Sequence, residues 1–302
     1  MPASLRELRQ RRQSVSATKK ITRAMELIAA SRIVKAQQAA SAALPFTREL
    51  NRAVSALATH ADTDHPLVNP KPDGKRAAVI TITSDRGLAG AYSTNVIREA
   101  SRLYDKLRRE GFEIVRFPIG RKGISYLKFR NIEFAEAWEG FSDKPQYEIA
   151  HEIADRLIEG FLTPDDEGGF SEIYVVYTRM ESMLSQVPRI RRIFPLEVVE
   201  HVEGHEVGDP LPIYEFEPDA ETVLDELLPL YVRNRVWFYL LQSAASQLAS
   251  QQKAMKSATD NAEQLIQQLT REANQARQAE ITQEISEIVG GAGALAESSE
   301  SE

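Results

Sequence analysis

The 302-residue chain contains no cysteine. A disulfide framework, a thiol switch and a thiolate-bound metal are therefore excluded, and the sequence neither requires an oxidising compartment nor senses one. Glycine is missing from the N-terminal part: all fifteen glycines lie at or after Gly74, and twelve of them fall between Gly74 and Gly208. Neither glycine nor proline occurs from Ala3 to Leu44 or from Leu230 to Val289. Turns are thus confined to the middle, and both ends are free to form long helices. Long apolar runs are missing too. The longest in the C-terminal region, Val236 to Leu241, is far short of the roughly 18 residues a membrane span requires. No GxxxxGK[ST] loop is present, so phosphate cradling of that kind has no support. Histidine is scarce. His60, His65 and His151 are isolated, and His201 and His205 stand in HVEGH, where a zinc helix needs HExxH. Gly204, Pro210 and Pro212 make that stretch a loop. The serines are scattered, with no histidine in a nucleophile-elbow context.

What is there is the composition of a soluble globular chain, 42% hydrophobic and 27% charged, long enough for about two domains. The net charge of -7 hides an asymmetry. Residues 1–35 carry Arg6, Arg9, Arg11, Arg12, Lys19, Lys20, Arg23, Arg32 and Lys35 against only Glu7 and Glu26; beyond Arg277 there are six glutamates and no lysine or arginine. A basic amphipathic start is also a feature of presequences. The helical pattern here runs past Ala40 without a cleavage-like break, so it reads as mature structure.

Leu230 to Val289 reads as one helix of roughly 90 Å at a rise of 1.5 Å per residue. No ordinary domain can enclose it, so it needs a partner helix or a sleeve. Trp237, Leu241, Ala244, Leu248, Gln251, Met255, Ala258, Ala262, Leu265 and Leu269 follow alternating steps of four and three, the seam of a left-handed coiled coil with Gln251 as its polar member. At the other end Leu5, Leu8, Val15, Ile21, Met25, Ile28 and Ala29 recur at helical spacing, giving a second helix that Pro45 should kink or interrupt. If the two pair antiparallel and leave the middle domain at one level, the C-terminal helix overshoots by about 27 Å. After Leu269 its heptad loosens through Ala273, Ala276, Ile281, Ile285 and Ile288.

Between the helices, apolar and turn-rich stretches alternate. Strands are expected at 76–85, 112–119, 132–138, 171–179 and 193–199, and helices at 95–109, 122–129 and 147–162. This argues for an inserted α/β layer with a mostly parallel sheet. The domain expectation is an N-terminal helix over 1–61, an α/β domain over 74–200, a connecting loop over 201–219, a C-terminal helix over 220–289 and a flexible acidic tail over 290–302. Ser84 to Gly90 follows a strand and precedes a helix, where α/β folds often bind ligands; with no acidic or basic partner placed beside it by sequence, a tight turn using Gly87 and Gly90 is the better reading. For the basic N-terminal helix three readings stand: nucleic-acid binding with steep salt dependence, an acidic protein partner, or a solvated face.

Four stretches carry a resemblance: SATKKITRAMELIAASRIVKAQ from Ser16, SDRGLAGAY from Ser84, AMKSATDNAEQLI from Ala254 and ARQAEITQEISEIVGG from Ala276. In these motifs, and in their order over nearly the whole length, the chain resembles the gamma subunits of bacterial F-type ATP synthases. The resemblance implies an antiparallel coiled coil of the termini with an inserted Rossmann-like α/β domain. It implies a non-catalytic rotor shaft within a ring of alpha and beta subunits, whose foot rests on a membrane c-ring and whose α/β domain meets an epsilon subunit. It also implies a peripheral position on the cytoplasmic face of the cell membrane, no nucleic acid, and no cofactor of its own, since Mg-ATP and ADP belong to alpha and beta. By position, Lys20, Arg23, Met25, Arg277, Gln278, Thr282 and Glu284 match beta-subunit contacts. Ile285, Ile288 and Val289 match the apolar bearing tip, and Tyr214, Phe216 and Glu217 the c-ring foot. Departures are Ala89, where the turn commonly has cysteine, and Gln251 and Gln252, where some members carry arginine ahead of the AMK motif. Two other readings remain beside it: a coiled-coil hinge protein that binds nucleic acid through its basic helix, and an α/β enzyme with accessory helices.

Overall fold

The computed structural model describes residues 4–60, 74–195 and 220–299. The chain divides into two compact units, Met1–Ile28 with Ala254–Glu302, and Ala29–Lys253. The described residues form α1 (Leu5–His60), β1 (Arg76–Ile82), α2 (Tyr92–Arg109), β2 (Glu113–Ile119), α3 (Arg121–Phe129), α4 (Tyr147–Leu162), a short 3-10 turn (Asp165–Glu167), β3 (Glu172–Met180), β4 (Gln186–Phe194) and α5 (Ala220–Ser299), in that order.

In the larger unit the sheet runs in the order β2-β1-β3-β4. β1 pairs in parallel with β2 and β3, and β4 pairs antiparallel with β3. β1 is buried along almost its whole length, as its β-branched run requires. Ala77 and Val79 pack with Val96, Leu103 and Leu107 of α2 on one face. Ala78, Ile80 and Ile82 face the main core, where Phe117, Phe161, Phe194 and Tyr239 join Leu50 and Val54 of α1. α5 enters this core through Val232, Val236 and Leu240, and the Arg233 guanidinium ties it to Asp155 of α4 at 2.8 Å.

Several expectations change. The stretch 132–138 is no strand; Trp138 makes only an isolated parallel bridge to Ile119, because its backbone meets β2 at few points. Of the strand expected at 193–199, Ile193 and Phe194 end β4, which starts at Gln186 and folds back on β3 as a hairpin, and 196–199 lie outside the described residues. The three arginines and the proline of β4, QVPRIRRIF, hide the alternation that marks a half-buried strand. Pro45 does not interrupt α1. Beyond it, Thr47 is buried and accepts a hydrogen bond from Asn234 Nδ2 at 2.9 Å, and Leu50 and Val54 enter the core, so tertiary burial outweighs the ~3 kcal/mol an internal proline costs. Likewise α5 runs through Pro229 and on to Ser299, so 290–299 is helical where a flexible tail was expected. Glycine weakens a helix by about 1 kcal/mol without forbidding it. The connecting loop 201–219, with His201, His205, Tyr214, Phe216 and Glu217, lies outside the described residues, as does His65.

Candidate functional site

In the smaller unit α1 and α5 run antiparallel. Lys19 Nζ meets Glu263 at 3.0 Å, Thr259 Oγ1 donates to Thr22 Oγ1 at 2.8 Å, and Leu8 packs with Leu269 and Ala273. The buried residues on α5 are Met255, Thr259, Ala262, Leu269 and Ala273, spaced four, three, seven and four. The seam therefore passes through Thr259 where Ala258 was expected, and its polar member in this unit is a threonine. Thr259 is also satisfied along its own helix by the Met255 carbonyl oxygen at 2.9 Å, which is why a hydroxyl can sit there buried. On α1 the facing positions are Val15, Lys19, Thr22 and Glu26, of which Thr22 and Glu26 are buried. Arg23 neutralises Glu26 at 2.9 Å.

Ile21 and Ile28 belong to the apolar residues that recur at helical spacing, and the structure turns both outward. Ile21 is 61% and Ile28 54% exposed, and Leu27 is exposed beside them. The reason is register: the true seam carries polar residues, so hydrophobicity alone selects the wrong face. Lys20 and Arg23 are exposed next to this apolar stripe, and Met25 is half-buried. The result is a mixed band of two cations and three large apolar side chains, exposed on α1 although Arg23 also holds Glu26.

A second band covers 277–289, every residue of which is exposed. Self-packing of this unit's helices stops at Ala276. Ile281, Ile285 and Ile288 then fall on one face at spacings of four and three, the last of them 71% exposed, with Val289 alongside. Arg277, Gln278 and Glu284 flank them, while the Thr282 hydroxyl is bonded back to the Gln278 carbonyl oxygen at 2.9 Å. The two bands are not brought together. Lys19 is level with Glu263, fourteen residues before Arg277, so they lie about 21 Å apart along the helix axis.

In the larger unit the Ser84–Gly90 turn is built around a carboxylate. Asp85 Oδ1 accepts the N–H of Arg121, the first residue of α3, at 3.1 Å, and Oδ2 accepts the N–H of Ser142 at 2.9 Å. Ser142 Oγ accepts the Asp85 N–H in return at 2.8 Å. Burial works to raise the Asp85 pKa, but the backbone N–H groups of Ser142, Gly140 and Arg121 outweigh it and hold the carboxyl below its ordinary value. The remaining α3 start is satisfied from within: Lys122 donates to the Ser84 carbonyl oxygen and Gly123 to Thr83 Oγ1. Gly120, at φ 89°, lies so close to the Thr83 backbone that a β-carbon would collide with it. Next to Asp85, Arg86 and Leu88 are exposed and Ala89 is buried, and Leu88 holds a left-handed φ of 67°. From Tyr92 the turn reaches α5, donating to the Ser243 carbonyl oxygen at 3.2 Å. Arg32 of α1 grips Asp143 at 2.8 Å on the far side of Ser142. Among the described residues no group of three metal-binding side chains occurs.

Such a chain, with terminal helices paired around an inserted Rossmann-like domain and its exposed bands on the helices, defines a class of coiled-coil shaft proteins that work through surfaces. Comparison with known proteins makes this specific. A family model described as ATP synthase matches residues 4–295. The ATP synthase gamma chain of Cutibacterium acnes is 58% identical over the whole of both chains, and that of a Nocardioides species is 58% identical over 98% of each. The chain belongs to the ATP synthase gamma chain family. In fold it is similar to a chain of the Euglena gracilis mitochondrial ATP synthase, with a TM-score of 0.70 over 96% of this chain and 94% of that one at 18% identity. It is also similar to one from the central stalk and c-ring of the Tetrahymena thermophila enzyme, with a TM-score of 0.57 over 79% and 99% at 23% identity. Membership of this family sets aside the nucleic-acid-binding hinge.

Proposed function

We propose that this chain is the central rotor shaft of a proton-translocating ATP synthase, carrying rotation between a membrane c-ring and an alpha/beta catalytic head. The observation that carries the reading is the pair of exposed bands on the paired helices. Large apolar side chains in contiguous exposed patches mark surfaces that bind other proteins, and here they are Ile21, Leu27 and Ile28 with Lys20 and Arg23, and Ile281, Ile285, Ile288 and Val289 with Arg277, Gln278 and Glu284. Lys20, Arg23 and Met25 then face beta subunits, and the second band sits in the bearing of the head. Coupling is differential contact: each orientation of an asymmetric shaft stabilises one conformation of a beta subunit over the others, and reciprocally nucleotide binding there turns the shaft.

The shaft itself binds no nucleotide and performs no chemistry. Support comes from the carboxyl edge of the sheet, where the β1 turn meets the start of α3 after β2 and an open α/β sheet offers phosphate a helix N-terminus. Here the Asp85 carboxylate takes the first amide of α3, and a phosphate would meet a negative charge. The remaining partners are an epsilon subunit and the c-ring, at the cytoplasmic face of a bacterial membrane. No helix among the described residues is long and apolar enough to cross it.

Reconstitution tests the reading. A mixture of alpha, beta and this chain should assemble and hydrolyse ATP cooperatively; no complex and no rise in hydrolysis over alpha and beta alone would sink it. Met25→Lys adds a cation to the first band, and we expect proton pumping per ATP hydrolysed to fall more than hydrolysis itself. Equal loss of both would count against a beta-facing role for Met25.

A further inference from the structure

The groove beside β2 points to a partner of definite chemistry. β2 is an outer strand, bonded to β1 alone among the named strands. Glu113 donates its N–H to the Lys75 carbonyl oxygen at 2.7 Å, so the two-residue alternation of a strand turns the backbone groups of Ile114, Arg116 and Pro118 outward. The carbonyl oxygens of Arg116 and Pro118 are met by the N–H groups of Ala135 at 3.0 Å and Trp138 at 3.2 Å. Before Ala135 the covering segment diverges and leaves a groove of about 470 Å³, lined by Arg76, Arg108, Phe112, Arg116, Glu133 and Phe134 among others.

This groove is rich in donors and poor in free acceptors. Among the described residues the outward N–H groups of Ile114 and Arg116 meet no acceptor, and Arg76 Nε and Arg116 Nε are buried without one. Most acceptors nearby are already engaged: the Ile114 carbonyl oxygen accepts Arg116 Nη1 at 3.3 Å and the Glu133 carbonyl oxygen accepts it at 3.5 Å, and the Glu113 carboxylate is held by Arg76 at 3.2 Å. Among the described residues this leaves the exposed Glu133 carboxylate as the one acidic group at the rim. Arg116 stands over the Tyr104 ring at 5.0 Å, and burial holds its pKa below the ordinary arginine value, a cost that an incoming carboxylate would offset. Unmet donors beside a free strand edge suit a ligand made of acceptors.

We propose that this edge docks an extended, carboxylate-bearing segment of another subunit of the assembled complex. Such a segment offers backbone carbonyl oxygens to the N–H groups of Ile114 and Arg116, and its Asp or Glu side chains complement the guanidinium groups of Arg108 and Arg116. Pro118 and the Ala135–Trp138 cover limit the pairing to the first half of the strand. The inference rests on the chain working inside a complex, as proposed above.

Hydrogen exchange read by mass spectrometry, on the isolated full chain and on the reconstituted ATP synthase, tests it. Exchange of the peptide containing Ile114 should slow by at least about tenfold on assembly. The slowing should shrink at high salt and in Arg108→Glu. It should vanish in Arg116→Pro, which removes the outward donor without touching the ladder to β1, as Pro118 already does; circular dichroism of each variant checks that it folds. A complex that assembles and hydrolyses ATP while Ile114 exchanges as in the free chain overturns the inference and leaves the shaft reading standing. Slowing indifferent to Arg108→Glu and to salt also overturns it, in favour of cover by a neutral surface. So does equal slowing of the isolated chain by inorganic phosphate alone, which would make the groove a small-anion site.

Discussion

Asp85 shows how one side chain turns a ligand site into a joint. Its carboxylate accepts two backbone N–H groups, from Arg121 and Ser142, and its own N–H is taken by the Ser142 hydroxyl, so β1, α3 and the loop gripped by Arg32 meet at one anion. Asp85→Asn keeps the size and removes the charge, and hydrogen bonds to a charged acceptor contribute more than neutral ones, so we expect about 2 kcal/mol less stability near neutral pH. The sign of the pH dependence follows from a folded pKa held below the unfolded one. The stabilisation is complete above the unfolded carboxylate value and is lost as pH falls through the folded one. Wild type and variant should therefore converge in acid, as measured by urea titrations at about pH 7 and about pH 3. A gap of constant size would show that the charge is not what stabilises the turn.

The elements differ in what decides their faces. α1 carries isoleucines five residues apart with opposite fates: Ile28 is 54% exposed, while Ile33 is 1% exposed and packs on Leu248 and Ala249. Ile33→Ala should cost about 2–5 kcal/mol in the isolated chain, whereas Ile28→Ala should stay within about 0.5 kcal/mol of wild type. Thermal denaturation of the two variants checks this, and equal destabilisation would refute the assignment of faces. The correct register could have been found in the sequence. Steps of four and three run without a break from Val15 through Lys19, Thr22, Glu26, Ala29, Ile33, Ala36 and Ala40, and the structure buries Thr22, Glu26, Ala29, Ile33 and Ala40 on that line. Its polar members concealed it. For the same reason the apolar pattern of α5 points to Ala258, while the buried residue is Thr259.

At the scale of the molecule, two compact units are built on different materials. The smaller one is held by Leu8, Leu269 and Ala273 and by the Thr22–Thr259 bond. The larger one has a core containing Phe117, Phe161, Phe194 and Tyr239, and large aromatic side chains bury the most area per residue. Native-state hydrogen exchange should therefore show amides around Leu269 opening at a lower free energy than those around Ile80 and Val175. Exchange of both sets at one common free energy would mean that the chain opens as a single unit.

Much of this organisation was legible in the residues alone. The absence of glycine and proline at both ends determined the two long helices, and β-branched runs between glycine-rich turns determined β1, β2 and β3. Both signals are local, acting through backbone freedom and through the alternation of apolar side chains. Tertiary structure decided what depends on partners distant in sequence. It carried α1 through Pro45 by burying Thr47, Leu50 and Val54, and it paired the arginine-rich β4 with β3. It also set the register that turns Ile21 and Ile28 outward, because a helix has no inner face until another helix chooses one. The Asp85 clasp belongs with these, since its partners Arg121 and Ser142 lie 36 and 57 residues away and only folding brings their amides to one carboxylate.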